Sequence, residues 1–180
     1  MKLNLTIRTI TSDQYPNFYC KELTKNVKPS RNYYQLYESK TNAKDQPVKY
    51  FYPDHDKDAF YFLAYSDDLI VGQLSLKQSP FTDDILWFTG ISVDPKYQNR
   101  GIAKALIDEA FRLVNHKNRN ILMSYYEDDV KDFLPALIKN KAIQHKVVIY
   151  ERDDDYVYHT YGIDKKGKVY DGQIFQGEKK

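Results

Sequence analysis

Three glycines precede residue 160, and one of them, Gly101, stands inside "VDPKYQNRGIAKAL", residues 93–106, where an apolar strand gives way to an apolar helix. A helix start gathers unpaired N–H groups and partial positive charge, a combination that suits a phosphate. A glycine there removes the Cβ that would keep a ligand off the backbone. Arg100 and Lys104 add positive charge, and the side-chain amides of Gln98 and Asn99 add hydrogen-bonding capacity. Asp94-Pro95 turns the chain from strand to helix. The segment is therefore expected to cradle a pyrophosphate. Two other phosphate loops are absent, since neither GxxxxGK(S/T) nor GxGxxG occurs.

The remaining clusters of reactive side chains carry less. Asp54, Asp56 and Asp58 have calcium-loop spacing, but the glycine of the sixth position is missing and Tyr65 stands at the twelfth. His55, His116, His145 and His159 share no metal-ligand spacing, so no metal site is expected. Cys20, the single cysteine, permits no internal disulfide and is expected to fill a small core position in a helix. No serine has a nucleophile-elbow context.

The elements that must position Gly101 can be read from periodicity. "LNLTIRTI" alternates as a strand, with Leu3, Leu5, Ile7 and Thr9 on one face. Thr11 and Gln14 have capping-box spacing and predict a helix, which Pro16 weakens, and Ser30 predicts a second short helix through "RNYYQLYESK". Residues 41–58 read as a long loop. A hairpin turns at Ser66-Asp67-Asp68, and a strand spans Ile85–Val93. A helix runs from about Gly101 to Asn115, with Ile102, Ala105, Leu106, Ala110, Leu113 and Val114 at helical spacing. "ILMSYY" is a strand. Pro135 makes the following helix kinked or late. Two further strands join at Asp153–Asp155, with another turn at Lys166-Gly167. The strands flanking the Gly101 helix are expected to be parallel.

Composition bounds the class. The 180 residues suit one domain, 1–180, with a core over about 60–152 and residues 153–180 as C-terminal strands or an extension. A formal net charge of +2 argues against a nucleic-acid partner. The alternating start is not a signal peptide, and no stretch reaches the ~18 apolar residues of a membrane span. The reading is a cytoplasmic protein with no membrane partner, a monomer or homodimer.

The residues quoted carry a resemblance. "ISVDPKYQNRGIAKALIDEAF" resembles the acetyl-coenzyme A signature of the GNAT N-acetyltransferase family. Its core, Q/R-x-x-G-x-G/A, is matched by Gln98, Gly101 and Ala103, and the flanking V-x-P-x-Y by Val93, Pro95 and Tyr97. The hairpin "DDLIVGQLSL" resembles the strand pair that precedes that signature. The resemblance spans roughly residues 60–125 and implies an α/β fold: a mixed, mostly antiparallel sheet with one splayed parallel strand pair, flanked by helices.

It also implies a chemistry. Acetyl-coenzyme A is the expected acetyl donor, with no metal. Backbone amides of Ile91, Ser92 and Val93 would meet its pantetheine arm and thioester at a strand bulge, as an oxyanion hole does. Those of Gln98, Asn99, Arg100, Gly101, Ile102, Ala103 and Lys104 would hold the pyrophosphate. An amine acceptor then attacks the acetyl carbon directly. Family members often use a glutamate on the first cofactor strand as base, where this chain has Trp87, and a tyrosine on the last helix as acid, where it has Ile138 and Ala142. Glu127 is the candidate base, with Asp83 and Asp84 as a second choice, and Tyr126 or a water is the candidate acid. The expected acceptor is a small-molecule amine. The alternatives are a peptide or protein amine, and a module that binds acetyl-coenzyme A without turnover.

Overall fold

A computed structural model of the 180-residue chain describes residues 3–11, 18–22, 34–38, 59–79, 82–124, 134–152 and 157–176. Ten strands and two helices occur among them. They are β1 (Leu5–Thr11), β2 (Phe18–Glu22), β3 (Tyr34–Glu38), β4 (Phe60–Ser66), β5 (Leu69–Gln78), β6 (Ile85–Val93), α1 (Ile102–His116), β7 (Asn120–Ser124), α2 (Leu134–His145), β8 (Ile149–Arg152), β9 (Val157–Ile163) and β10 (Val169–Gln176). Eight strands form one mixed sheet in the order β1-β4-β5-β6-β7-β8-β9-β10, and β2 and β3 form a separate antiparallel pair. This is the α/β class expected from the sequence.

The described residues group into two compact units, Met1–Ser75 with Ile91–Leu106, and Leu76–Gly90 with Ile107–Lys180. In the first, β1 lies antiparallel to β4 from Leu5↔Ser66 to Thr11↔Phe60. Phe60 to Ala64 are buried without a break, the mark of a strand covered on both faces. Ile10, Ala59, Tyr61, Leu63 and Ile70 form a core cluster, against which Tyr65 packs. Ile10 is therefore the β1 residue that reaches the core, whereas Thr9, expected on the apolar face, is exposed. The β4–β5 hairpin turns where predicted, with Asp67 at φ 54°, a conformation that Asp tolerates better than most residues.

Two segments expected to be helical are strands. Thr11 is the last residue of β1 rather than a helix cap, and Phe18–Glu22, including Cys20, is strand. Tyr34–Glu38, expected in a second helix, is its partner strand. "FYCKE" and "YQLYE" are rich in aromatic residues, which favour pleated pairing, and that preference outweighs a short capping pattern already interrupted by Pro16.

In the second unit β6 and β7 pair in parallel, as expected of strands that flank α1, and β7 and β8 do the same. Then β8/β9 and β9/β10 pair antiparallel, the last with a register shift between Asp171 and Gln173. α1 buries Ile107, Ala110, Phe111 and Val114 completely, an i, i+3, i+4, i+7 stripe. Each large apolar side chain among them contributes about 1.5–3 kcal/mol relative to exposure. The Lys165 ammonium, from the β9–β10 turn, donates to the Asn115 carbonyl (2.6 Å) and to Asn118 Oδ1 (2.5 Å), closing the C-terminal end of α1. α2 begins at Leu134 with Pro135 at its second position, so the proline opens the helix rather than kinks it. That helix runs on through Ile143 to His145, and the next strand, β8, begins at Ile149. Gly162 has φ 125°, and a Cβ added there would lie 2.2 Å from the Val147 carbonyl oxygen.

Candidate cofactor site

The segment between β6 and α1 is built by Asp94. This residue is only 5% exposed, and its amide donates to the Val71 carbonyl at 2.8 Å. Its carboxylate Oδ1 accepts from the Lys96 amide at 2.9 Å, and its carbonyl accepts from the Tyr97 amide at 2.8 Å. Pro95, with its fixed φ, starts the resulting 3-10 turn, Pro95–Tyr97. Asp94-Pro95 is thus a capped turn rather than a simple corner. Gln98 follows in extended conformation (φ −62°, ψ 161°), and its Nε2 donates back to the Val93 carbonyl at 3.2 Å. One of the two side-chain amides expected to face a ligand is therefore already engaged through its nitrogen.

Asn99 (φ 60°) and Gly101 (φ 80°) both take left-handed backbone, and between them they aim the chain into the helix. The first i→i−4 bond runs from the Ala105 amide to the Gly101 carbonyl at 3.0 Å. The amides of Ile102, Ala103 and Lys104 precede it and have no carbonyl within the helix to accept them. Gln98, Asn99, Arg100, Gly101 and Lys104 are exposed, Ala103 is half-buried, and Ile102 anchors the turn at 2% exposure. A Cβ built on Gly101 meets nothing within 4 Å. The glycine is needed for its φ, and the space above it is open.

Gly72 on β5 does a different job. A Cβ there would approach Ile102 Cγ2 at 3.0 Å, Leu106 Cδ1 at 3.3 Å and the Ser92 carbonyl oxygen at 3.3 Å. Its lack of a side chain lets the first turn of α1 lie directly on the strand. This is the close backbone approach that a glycine within a strand signals.

β6 is irregular where it nears the turn. The Ser79 amide bonds the Ile85 carbonyl (3.1 Å), and the Asp94 amide bonds that of Val71. Between these two bonds β5 advances eight residues and β6 nine. A regular antiparallel ladder keeps equal counts, so β6 carries one extra residue, a bulge. Alternation of burial holds from Ile85 to Thr89 and is lost over Gly90, Ile91, Ser92 and Val93, all half-buried, which locates the irregularity. On its other edge, among the described residues, β6 pairs with β7 from Ile85↔Asn120 to Phe88↔Met123. Trp87 is half-buried and Thr89 exposed, on the strand face opposite Leu86 and Phe88.

Apart from the buried Asp94, the charge at the turn is basic. Lys96, Arg100 and Lys104 are exposed, and α1 has no acidic residue in its first turn. The Arg100 guanidinium lies over the Tyr97 ring, 5.4 Å from its centre. The sequence reading missed that contact, though Tyr97 and Arg100 stand three apart in a tight turn. The open glycine, the unpaired amides and the cations fit a pyrophosphate ester such as that of coenzyme A.

Glu127 and Tyr126, the candidate base and acid, lie outside the described residues, as do Asp54, Asp56 and Asp58. Asp83 and Asp84 are exposed in the turn before β6. Among the described residues no group of three His, Cys, Asp or Glu side chains is arranged to hold a metal.

Sequence comparison gives the family. Residues 18–133 match the Acetyltransferase (GNAT) family, and the chain belongs to it. No curated protein sequence matches. Among solved structures, a GNAT-family protein from Desulfovibrio desulfuricans is 16% identical over 52% of this chain and 42% of its own, with a TM-score of 0.35. The chain thus spans less than half of that relative. A candidate streptothricin acetyltransferase from Bacillus anthracis, in complex with acetyl coenzyme A, is 18% identical over 68% of this chain and 73% of its own (TM-score 0.40). An aminoglycoside acetyltransferase from an uncultured soil metagenomic sample, in complex with sisomicin, is 14% identical over 76% and 86% (TM-score 0.46).

Proposed function

We propose that the chain is an acetyl-coenzyme A-dependent N-acetyltransferase acting on a small-molecule amine in the cytoplasm, through one acetyltransferase domain spanning 1–180. The observation that carries this reading is the left-handed, uncovered Gly101 at the mouth of α1, in a chain of the GNAT family. Acetyl-coenzyme A supplies an acetyl group activated as a thioester. The backbone amides from Gln98 to Lys104 hold the pyrophosphate. The irregular segment Ile91–Val93 offers amides to the pantetheine arm and to the thioester carbonyl, where charge develops as the amine attacks. Glu127 takes the proton that an ammonium must lose before it can attack, and Tyr126 or a water returns one to the departing thiolate. Among the described residues no helix is long and apolar enough to cross a membrane.

The test has two arms. Gly101→Glu places bulk and negative charge against the pyrophosphate and abolishes coenzyme A binding by calorimetry; unchanged affinity would remove the cradle from the account. With a panel of amines, thiol release from acetyl-coenzyme A is expected, and Glu127→Gln lowers its rate at pH 7 with cofactor affinity kept. A pH–rate profile identical to the native one would eliminate Glu127 as base. Tight binding with no thiol release for any small amine or peptide would make the chain a binding module instead.

A further inference from the structure

Asp94 is a buried carboxylate, 5% exposed, in the turn that leads into an anion cradle. A negative charge there opposes an anionic ligand, so its role is not contact with the pyrophosphate. Its bonds act on the backbone instead. Its amide donates to the Val71 carbonyl on β5 (2.8 Å), its Oδ1 accepts from the Lys96 amide (2.9 Å), and its carbonyl accepts from the Tyr97 amide (2.8 Å). A carboxylate makes the stronger, charge-assisted kind of acceptor for such an amide. Gln98 Nε2 closes the same turn from its exposed side, on the Val93 carbonyl at 3.2 Å.

These bonds sort the donors of the segment. The Lys96 and Tyr97 amides are used inside the turn, so the amides offered to a ligand begin beyond it. The exit is fixed as well, by the left-handed Asn99 and Gly101 and by Ile102, 2% exposed and close against Gly72. All of these constraints lie within the chain, so the direction of the Ile102, Ala103 and Lys104 amides is set without a ligand. We propose that Asp94 is a positioning residue for the cofactor: through the Lys96 amide it holds the Pro95–Tyr97 turn closed, preorganises the pyrophosphate cradle, and so raises coenzyme A affinity without touching the ligand. The inference rests on the acetyl-coenzyme A reading above and adds a residue that acts by shape and against its own charge.

Calorimetric titration of the full chain with coenzyme A tests it in a graded series. Asp94→Asn keeps an oxygen for the Lys96 amide and removes the charge, so affinity is expected to stay within about threefold of native or to rise. Asp94→Ser, whose hydroxyl makes a weaker bond of the same kind, loses about threefold. Asp94→Ala, which has no acceptor, loses about tenfold, the usual effect of deleting a cap. In turnover the KM for acetyl-coenzyme A follows the same order while kcat stays within about twofold. Circular dichroism verifies the fold of each variant, and the Asn–Ser comparison carries the test if Asp94→Ala does not fold. Val114→Ala, in the buried stripe of α1, is the control: it lowers the urea midpoint and leaves coenzyme A affinity unchanged. Native affinity in both Asp94→Ser and Asp94→Ala would overturn the proposal. So would Asp94→Asn as weak as Asp94→Ala, which would make the charge matter rather than the bond, or a Val114→Ala as impaired in binding as Asp94→Ala. A native chain that bound no coenzyme A would overturn the acetyl-coenzyme A reading and this proposal with it, an outcome distinct from those three.

Discussion

Gly72 and Gly101 are both glycines of the same turn region, yet they are constrained by opposite things. Gly101 is held by its φ of 80° with open space beyond, whereas Gly72 has ordinary backbone and no space. Gly72→Val is therefore expected to destabilise the protein by about 1–3 kcal/mol through overpacking against Ile102 and the Ser92 carbonyl, read as a lower urea midpoint. Gly101→Ala meets no atom and should cost only about 1–2 kcal/mol of left-handed strain. If Gly72→Val proved the milder of the two, the close packing of α1 on β5 would be wrong. Sequence revealed both positions, because a glycine inside an apolar strand or at a helix start has few ordinary explanations. It did not reveal Asp94 as the organiser of the turn. A buried aspartate that caps from inside looks no different, in sequence, from a solvated one. The same holds for the Tyr97–Arg100 contact, which depends on the 3-10 geometry.

α1 and α2 are tied by one carboxylate. Asp108 Oδ1 accepts from Lys141 Nζ at 2.6 Å and lies 3.0 Å from His145 Nε2, whose ring meets Phe111 edge-on at 6.3 Å. Burial of Asp108 works to raise its pKa, but the bonds from Lys141 and His145 together outweigh it and hold the carboxyl below its ordinary value of 3.8. A depressed carboxyl stabilises the fold above its unfolded pKa, and that contribution is lost as pH falls through the folded one. The melting temperature should thus drop below about pH 4, and drop less in Asp108→Asn, which is already weakened at neutral pH. Lys141 is 7% exposed, so removing its partner strands a buried cation. A cost of about 2 kcal/mol is expected, under the 3–5 of a fully buried pair because Asp108 is 28% exposed. A parallel acid profile in native and variant proteins would remove the clamp. None of this was visible in "IDEAF" and "NKAIQH" separately, since nothing in either segment names the other. α1 itself was legible to within a residue, its apolar stripe being strong and its start marked by Gly101. The aromatic segments that became β2 and β3 were not, because a capping pattern there competes with the strand preference that prevails.

At the scale of the whole molecule, ligand linkage gives the simplest expectation. Coenzyme A at a hundredfold excess over its Kd should stabilise the native state by about 2.7 kcal/mol, seen as a rise in melting temperature. No rise at millimolar ligand would count against any coenzyme A site. The central strand–helix–strand passage, the hairpin before it and the α/β class could be read from periodicity and the turn motif, since those elements are local. The strand order could not, because it depends on pairings between distant segments. One of those pairings has a kinetic consequence. β4 and β5 are joined by a two-residue turn and can zip at once, whereas β1 reaches β4 only when Thr11 finds Phe60, across a long intervening chain. Closing so large a loop comes late in folding. Until β1 docks, β4 is a bare edge whose five consecutive buried residues, Phe60 to Ala64, are open to another chain. Refolding yield should therefore fall with protein concentration, and the amides of β1 should be the last in this part of the sheet to gain protection in pulse-labelled hydrogen exchange.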